Sequence, residues 1–385
     1  MKSRLLCIAL TIVLLVLCMT SCGVQDTSSS NNESKSEIII SSSPHRSESG
    51  QRSTSTSPST ATNKQVSTAT SKTVSTSGQS KATNKATSTT VKSDKTSKPV
   101  AADKWGFGIW GLAPAYPTNT TTTMEAFQQQ VDRNYMNHHI LQAKATDEFF
   151  ESMRVINESG SMAWLDAMTG FYDTKTWRLR PDSAWKEDLD LLVQALKDTG
   201  LWDNIAGFVW DEPDLKPVPH DDFIRQTEYL SNKYNKRLFT VFSVAGFAPE
   251  YLPAFPRPQI TAESTKYLTD IAFDMYGIHN KDEYRKVNQR LKDAVGRPDE
   301  VRVWYFPVAF EALGERKDEK YAIDFLNMCY ELLLEEERPG GLILYCWPTW
   351  THEIGLEDLL PKKQFTHYDK LMLRIGKQVI KKTLD

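Results

Sequence analysis

Gly207-Phe208-Val209-Trp210-Asp211-Glu212-Pro213-Asp214-Leu215 is the most informative stretch of this 385-residue chain. An apolar run emerges into two adjacent carboxylates, and a proline, which has no N–H to give to a strand ladder, then stops it. Runs of the same kind recur. They lie at 105–111, 136–142, 162–168, 205–210, 237–244, 270–276, 301–307 and 341–347, eight in all. Between them come segments of helical period at 123–134, 147–158, 184–199, 221–235, 262–268, 282–295, 319–337 and 366–382. Thr122 with Glu125 reads as a capping box, and Gly160, Gly200 and Gly296 stand just past helix ends.

Eight strand–helix pairs in about 280 residues is the arithmetic of an α/β fold of the (β/α)8 TIM-barrel type, whose usual length is about 250. A doubly wound open sheet is the alternative, and the chain has no Gly-rich phosphate loop to support it. The fifth helical segment is short, so the proline-rich loop 245–260 is expected to project over the barrel mouth.

Working outward, the N-terminus has another character. Met1-Lys2-Ser3-Arg4 is followed by an apolar run from Leu5 to Met19 and then by Thr20-Ser21-Cys22-Gly23. A positive head, a short apolar core and a small-residue exit make a secretory signal. The core is short of the roughly 20 apolar residues that span a bilayer, and no later segment approaches that length, so the remainder is expected to be soluble. From Gly23 to Val100 there is no Phe, Tyr or Trp, and Ser, Thr, Lys, Asn and Ala dominate. Such a stretch cannot bury enough apolar surface to offset its chain entropy and is expected to be a disordered tether. Asn119-Thr120-Thr121 adds a weak glycosylation sequon.

The expected organisation is therefore a signal peptide at 1–21, a lipidated cysteine and Ser/Thr-rich linker at 22–102, and a barrel domain at 103–385. The stalk carries ten Lys or Arg against five Asp or Glu, and the signal adds Lys2 and Arg4. Removing these from the totals of 46 and 49 leaves 34 against 44 from Ala101 onward, a formal charge of about −10. That balance disfavours nucleic acid as a partner, while the basic stalk suits anionic envelope material. Cys329 and Cys346 are too few for a disulfide scaffold and lack zinc spacing, and they read as buried thiols. All forty aromatic residues lie from Trp105 onward, a density that suits sugar binding.

In a barrel of this kind the chemistry sits at the C-terminal strand ends. The candidates there are Trp110, Asp166, Asp211 and Glu212, Asp274 and Tyr276, Glu311, and Trp347 and Trp350. Glycosidic bonds are cleaved when a carboxylic acid protonates the leaving oxygen while a second carboxylate, or the substrate itself, stabilises the oxocarbenium ion. Burial and a neighbouring charge would raise the pKa of Glu212 and keep it protonated. The competing reading makes Asp211 and Glu212 capping or ion-pairing groups on a surface loop. Glu311, the candidate nucleophile, comes only after Phe306-Pro307-Val308-Ala309-Phe310, and its alternative is a solvated loop residue beside Glu315 and Arg316. Trp110, Trp347 and Trp350 are expected to stack on sugar faces. His138, His139, His279 and His352 have no ligand spacing, so no metal and no cofactor is expected.

Some of these patterns resemble known families. Met19-Thr20-Ser21-Cys22 resembles the bacterial lipobox, with Met19 where Leu is usual, and implies a lipid anchor on Cys22 at the extracellular face of the membrane. Trp210-Asp211-Glu212-Pro213 resembles the Trp-Asn-Glu-Pro strand of clan A glycoside hydrolases, which implies that Glu212 is the acid/base; the Asn is Asp211 here. An Asp-Glu pair is also similar to that of hexosaminidases using substrate assistance, and Asp-Glu-Pro looks like the N-acetylgalactosaminidase type. Phe273-Asp274-Met275-Tyr276 resembles strand six of chitinase-like and clan A barrels. Two functions stay open: a cell-surface glycoside hydrolase acting on a glycan, and a non-catalytic carbohydrate-binding lipoprotein with the same aromatic-lined mouth.

Overall fold

The computed structural model describes residues 104–114, 122–251, 259–312 and 318–384. The signal segment, Cys22, the stalk, Asn119, Glu315 and Arg316 lie outside the described residues. Eight parallel strands form one sheet: β1 (Gly106–Ile109), β2 (His138–Gln142), β3 (Met162–Asp166), β4 (Ile205–Asp211), β5 (Arg237–Ser243), β6 (Asp270–Asp274), β7 (Arg302–Tyr305) and β9 (Pro339–Leu344). They run in the order β1-β9-β7-β6-β5-β4-β3-β2. The seam between β2 and β1 is stitched by Asn137, whose N–H donates to Phe107 O (3.0 Å) and whose Oδ1 accepts from Phe107 N (2.8 Å). This is a nearly closed (β/α)8 TIM barrel.

Helices α1 (Met124–Asp132), α2 (Asp147–Ser159), α3 (Asp182–Asp198), α4 (His220–Tyr234), α5 (Lys281–Val295), α6 (Glu319–Glu335), the short α7 (Leu356–Leu359) and α8 (Thr366–Val379) fill the connections. Their apolar stripes explain their placement: Phe149, Met153 and Ile156 of α2, for example, recur at three- and four-residue spacing and are all buried. Gly160 and Gly296 end helices with φ of 74° and 70°, in the left-handed region that only glycine enters freely. The α1 cap falls one residue later than the sequence suggests, on Thr123, whose Oγ1 accepts from Ala126 N.

Two expectations need correction. Residues 262–268 form turns, not a helix. Thr261, Ser264 and Thr265 use their hydroxyls on each other's backbone, with Thr261 N donating to Ser264 Oγ and Ser264 N to Thr261 Oγ1, and so compete with helical pairing. Beyond β7, the segment 310–312 is also a strand: β8 (Phe310–Ala312) pairs antiparallel with β10 (Glu353–Gly355) as a separate two-stranded ribbon.

The N-terminal half of the barrel interior is packed with rings. Trp304 lies 5.8 Å from Trp164, 5.1 Å from Phe239 and 5.4 Å from His138, centroid to centroid. Room for this indole comes from Gly106 and Gly340, where a Cβ would fall 2.1 and 2.2 Å from its atoms. Asp270 accepts from Trp304 Nε1 (2.8 Å), from Thr269 Oγ1 (2.7 Å) and from Arg237 Nε (2.9 Å). Cys329 and Cys346 are both buried free thiols.

Candidate active site

Strand β4 decides the geometry. Trp210 points toward the helices: its indole N–H donates to Gln226 of α4 (2.7 Å) and its ring packs against Phe223. Strand alternation then turns Asp211 to the other side. After Asp211 the chain does something unusual, because Glu212 has φ of 46°. A non-glycine residue in the left-handed region is costly and persists only where the surroundings enforce it, most often at functional sites. Here Glu212 N donates to Val241 O (2.8 Å) of β5 and Glu212 O accepts from Lys216 N (3.0 Å), which fixes the turn from both sides.

The turn brings Lys216 back over the strand end. Its ammonium donates to Asp211 O (2.6 Å) and Asp211 Oδ2 (2.7 Å) and stands farther from Glu212 Oε2, at 3.9 Å. Burial works against the charge on Lys216, but Asp211 and Glu212 outweigh it and hold its pKa above the ordinary value. The ion pair therefore belongs to Asp211. Glu212, 2% exposed, meets a second carboxyl instead, that of Asp274 at the end of β6, within hydrogen-bonding reach. Burial first, and the charge of Asp274 second, push the Glu212 pKa well above the usual carboxylate range. Burial, then the charge of Asp211, does the same to Asp274. Two adjacent buried carboxyls resist ionising together, so the pair is suited to hold one shared proton. Glu212 Oε1 and Asp274 Oδ1 remain without hydrogen-bond partners.

Asp214 completes the group. Its Oδ1 accepts from Ser243 N (3.0 Å), and its buried Oδ2 has no partner and lies where a Cβ on Gly246 would fall, 2.6 Å away. Burial raises the Asp214 pKa to about 6. Asp166, at the end of β3, has a different setting: Met168 N (2.8 Å), Thr169 N (3.3 Å) and Thr169 Oγ1 (2.5 Å) all donate to it. Tyr276 is fully buried, stacked on Tyr345 (5.6 Å) with Phe310 edge-on (5.6 Å), and its hydroxyl has no partner.

The sequence candidates thus separate. Glu212 and Asp274 come together, with Asp211 and Asp214 beside them. Glu311 lies on β8, where Phe310 and Ala312 face the Tyr276 side and are buried; alternation puts the half-exposed Glu311 on the opposite face. Trp110 and Trp347 are 2% and 5% exposed, Trp110 against Phe306 at 5.9 Å, and Trp350 is half-buried. His138 and His139 are buried at the start of β2, far along the strand from its C-terminal end, and burial lowers the His139 pKa to about 3. His279 and His352 are exposed. Among the described residues no His, Cys, Asp or Glu cluster forms a metal site. A surface cavity of about 350 Å³ lined by Lys186, Arg225, Tyr229 and Lys233 lies on the flank between α3 and α4 and contains none of these carboxylates. Asp214 and Lys216 were not among the sequence candidates, although both stand within five residues of Asp211.

No protein-family model matches the chain, and no curated protein matches it. Solved structures do. A GH113 beta-1,4-mannanase is 12% identical, with 71% of this chain and 99% of that one covered and a TM-score of 0.45. A GH2 beta-galacturonidase from Eisenbergiella tayi is 11% identical, covering 74% and 52%, with a TM-score of 0.47. The beta-glucuronidase of Ruminococcus gnavus is 13% identical, covering 68% and 46%, with a TM-score of 0.38. All three names describe glycoside hydrolases. The likeness is one of fold and carries no assignment of substrate or catalytic residues.

Proposed function

We propose that this protein is a glycoside hydrolase held at the extracellular face of the bacterial membrane through a lipid on Cys22, with Glu212 as general acid. One observation carries the reading: Glu212 is buried at the C-terminal end of β4 in a left-handed backbone conformation, against the carboxyl of Asp274, with Oε1 unpartnered. A surface ion-pairing residue would need none of these features. Desolvation and Asp274 keep a proton on Glu212 near neutral pH, available to the glycosidic oxygen as its bond to the anomeric carbon breaks. Asp274, left as the anion, stabilises the positive charge that develops on the sugar ring. Lys216 neutralises Asp211, so that the acid keeps a defined partner.

Glu212→Gln tests the assignment on the soluble domain and on the full chain. Turnover of a chromogenic glycoside should fall by roughly 10² to 10⁴, the usual share of acid–base catalysis, with the fold and much of the sugar affinity retained. Unchanged turnover would overturn the role of Glu212 and favour a protein that binds glycans without cutting them. The anchor has its own test. Cys22→Ala should release the protein from the membrane fraction or leave it unprocessed, and a wild-type protein free in the medium with another N-terminus would defeat that part.

A further inference from the structure

Five carboxyl groups, Asp166, Asp211, Glu212, Asp214 and Asp274, gather at and just past the ends of β3, β4 and β6, with Lys216 the one cation among them in the described residues. Two of the five are provided for. Asp211 has Lys216, and Asp166 has three donors from its own turn. The other three are 2%, 6% and 7% exposed, and each keeps one oxygen without a donor: Glu212 Oε1, Asp214 Oδ2 and Asp274 Oδ1. Tyr276, fully buried two residues beyond Asp274, has an unpartnered hydroxyl as well. Burial raises the pKa of all three carboxyls, because nothing in the protein but Lys216 offsets their charge among the described residues.

A ligand that offset this negative charge would need both charge and several hydrogens. A sugar hydroxyl brings no charge, and a uronate brings the wrong one. An ammonium brings a positive charge and three donors at once. We propose that the sugar bound here carries a free, unacetylated amino group, whose ammonium is received by Asp214 Oδ2 and Asp274 Oδ1. A cation at Asp274 favours the ionised form of that residue and so places the shared proton on Glu212. The proposal takes the sugar ring from the glycoside-hydrolase reading; the ammonium follows from the carboxylates alone.

The test is binding to the full chain, which does not require turnover. Isothermal titration at pH 7 in phosphate, a buffer without an amine, would compare glucosamine and galactosamine with their N-acetylated, neutral and uronic acid counterparts. The amine should bind at least about tenfold tighter than the acetylated or neutral sugar, the gain of charge-assisted hydrogen bonds. The preference should collapse in Asp214→Asn and in Asp274→Asn, each checked for folding by circular dichroism. Equal affinities, a preference for the acetylated or uronic sugar, no binding of any of them, or a preference that persists in both variants would each overturn the proposal. Cleavage of neutral glycosides with no amine preference would sink the ammonium site and leave the hydrolase standing; amine preference without cleavage of any amino glycoside would do the reverse.

Discussion

The two ends of the barrel treat buried charge in opposite ways. At the N-terminal end Asp270, fully buried, is met by Arg237, Trp304 and Thr269. Arg237 in turn lies over the rings of Trp164 and Trp304, at 5.0 and 5.7 Å; the Trp164 indole N–H is unpartnered, as are both ring nitrogens of His139 at the start of β2. At the C-terminal end Glu212, Asp214, Asp274 and Tyr276 are equally buried, and each keeps an atom without a partner. The first arrangement uses a carboxylate to hold strands together. The second leaves carboxylates whose needs only an incoming molecule or a proton can meet.

The difference can be broken at either end. Asp270→Ala strands Arg237 and removes four hydrogen bonds, and loss of one partner from a buried ion pair costs about 3–5 kcal/mol. Urea unfolding should show that loss, with any remaining folded protein keeping the amine preference proposed above. A cost below about 1 kcal/mol would mean that the N-terminal end is no more committed to structure than the mouth.

Asp214 gives a smaller and opposite effect. Its folded pKa of about 6 lies above the ordinary 3.8, so its contribution to stability is present in acid and is lost as the pH rises from about 4 through 6. Between pH 4 and 8 the wild type should lose about 1–3 kcal/mol relative to Asp214→Asn, and comparing the two cancels the opposing titration of buried His138 and His139. If the two proteins lose stability in parallel, the carboxyl is not held as described.

Much of this fold was legible from periodicity. The eight strand-like runs fall on the eight barrel strands, with ends displaced by up to three residues, because continuous apolar runs are what strands covered on both faces require. Residues 262–268 misled because apolar spacing there is overridden by local hydroxyl chemistry. The ribbon of β8 and β10 is too short to have a period, and so the orientation of Glu311 was beyond reach. At the site, the emergence of Asp211 and Glu212 from an apolar strand was readable. Which of them would take Lys216 was not, since that depends on the left-handed turn at Glu212. The meeting of Glu212 with Asp274 joins strands that are not neighbours, β5 lying between them, and no local pattern encodes it.

The left-handed backbone at Glu212 also bears on how such a protein changes under selection. Glycine and asparagine occupy that conformation more easily than glutamate does, and either would remove a buried carboxyl whose ionisation burial opposes. Heat resistance and the site therefore pull in opposite directions at one position. A lineage or a laboratory library rewarded only for surviving high temperature would drift away from glutamate at 212 and arrive at a sturdier barrel, one without the acid proposed above.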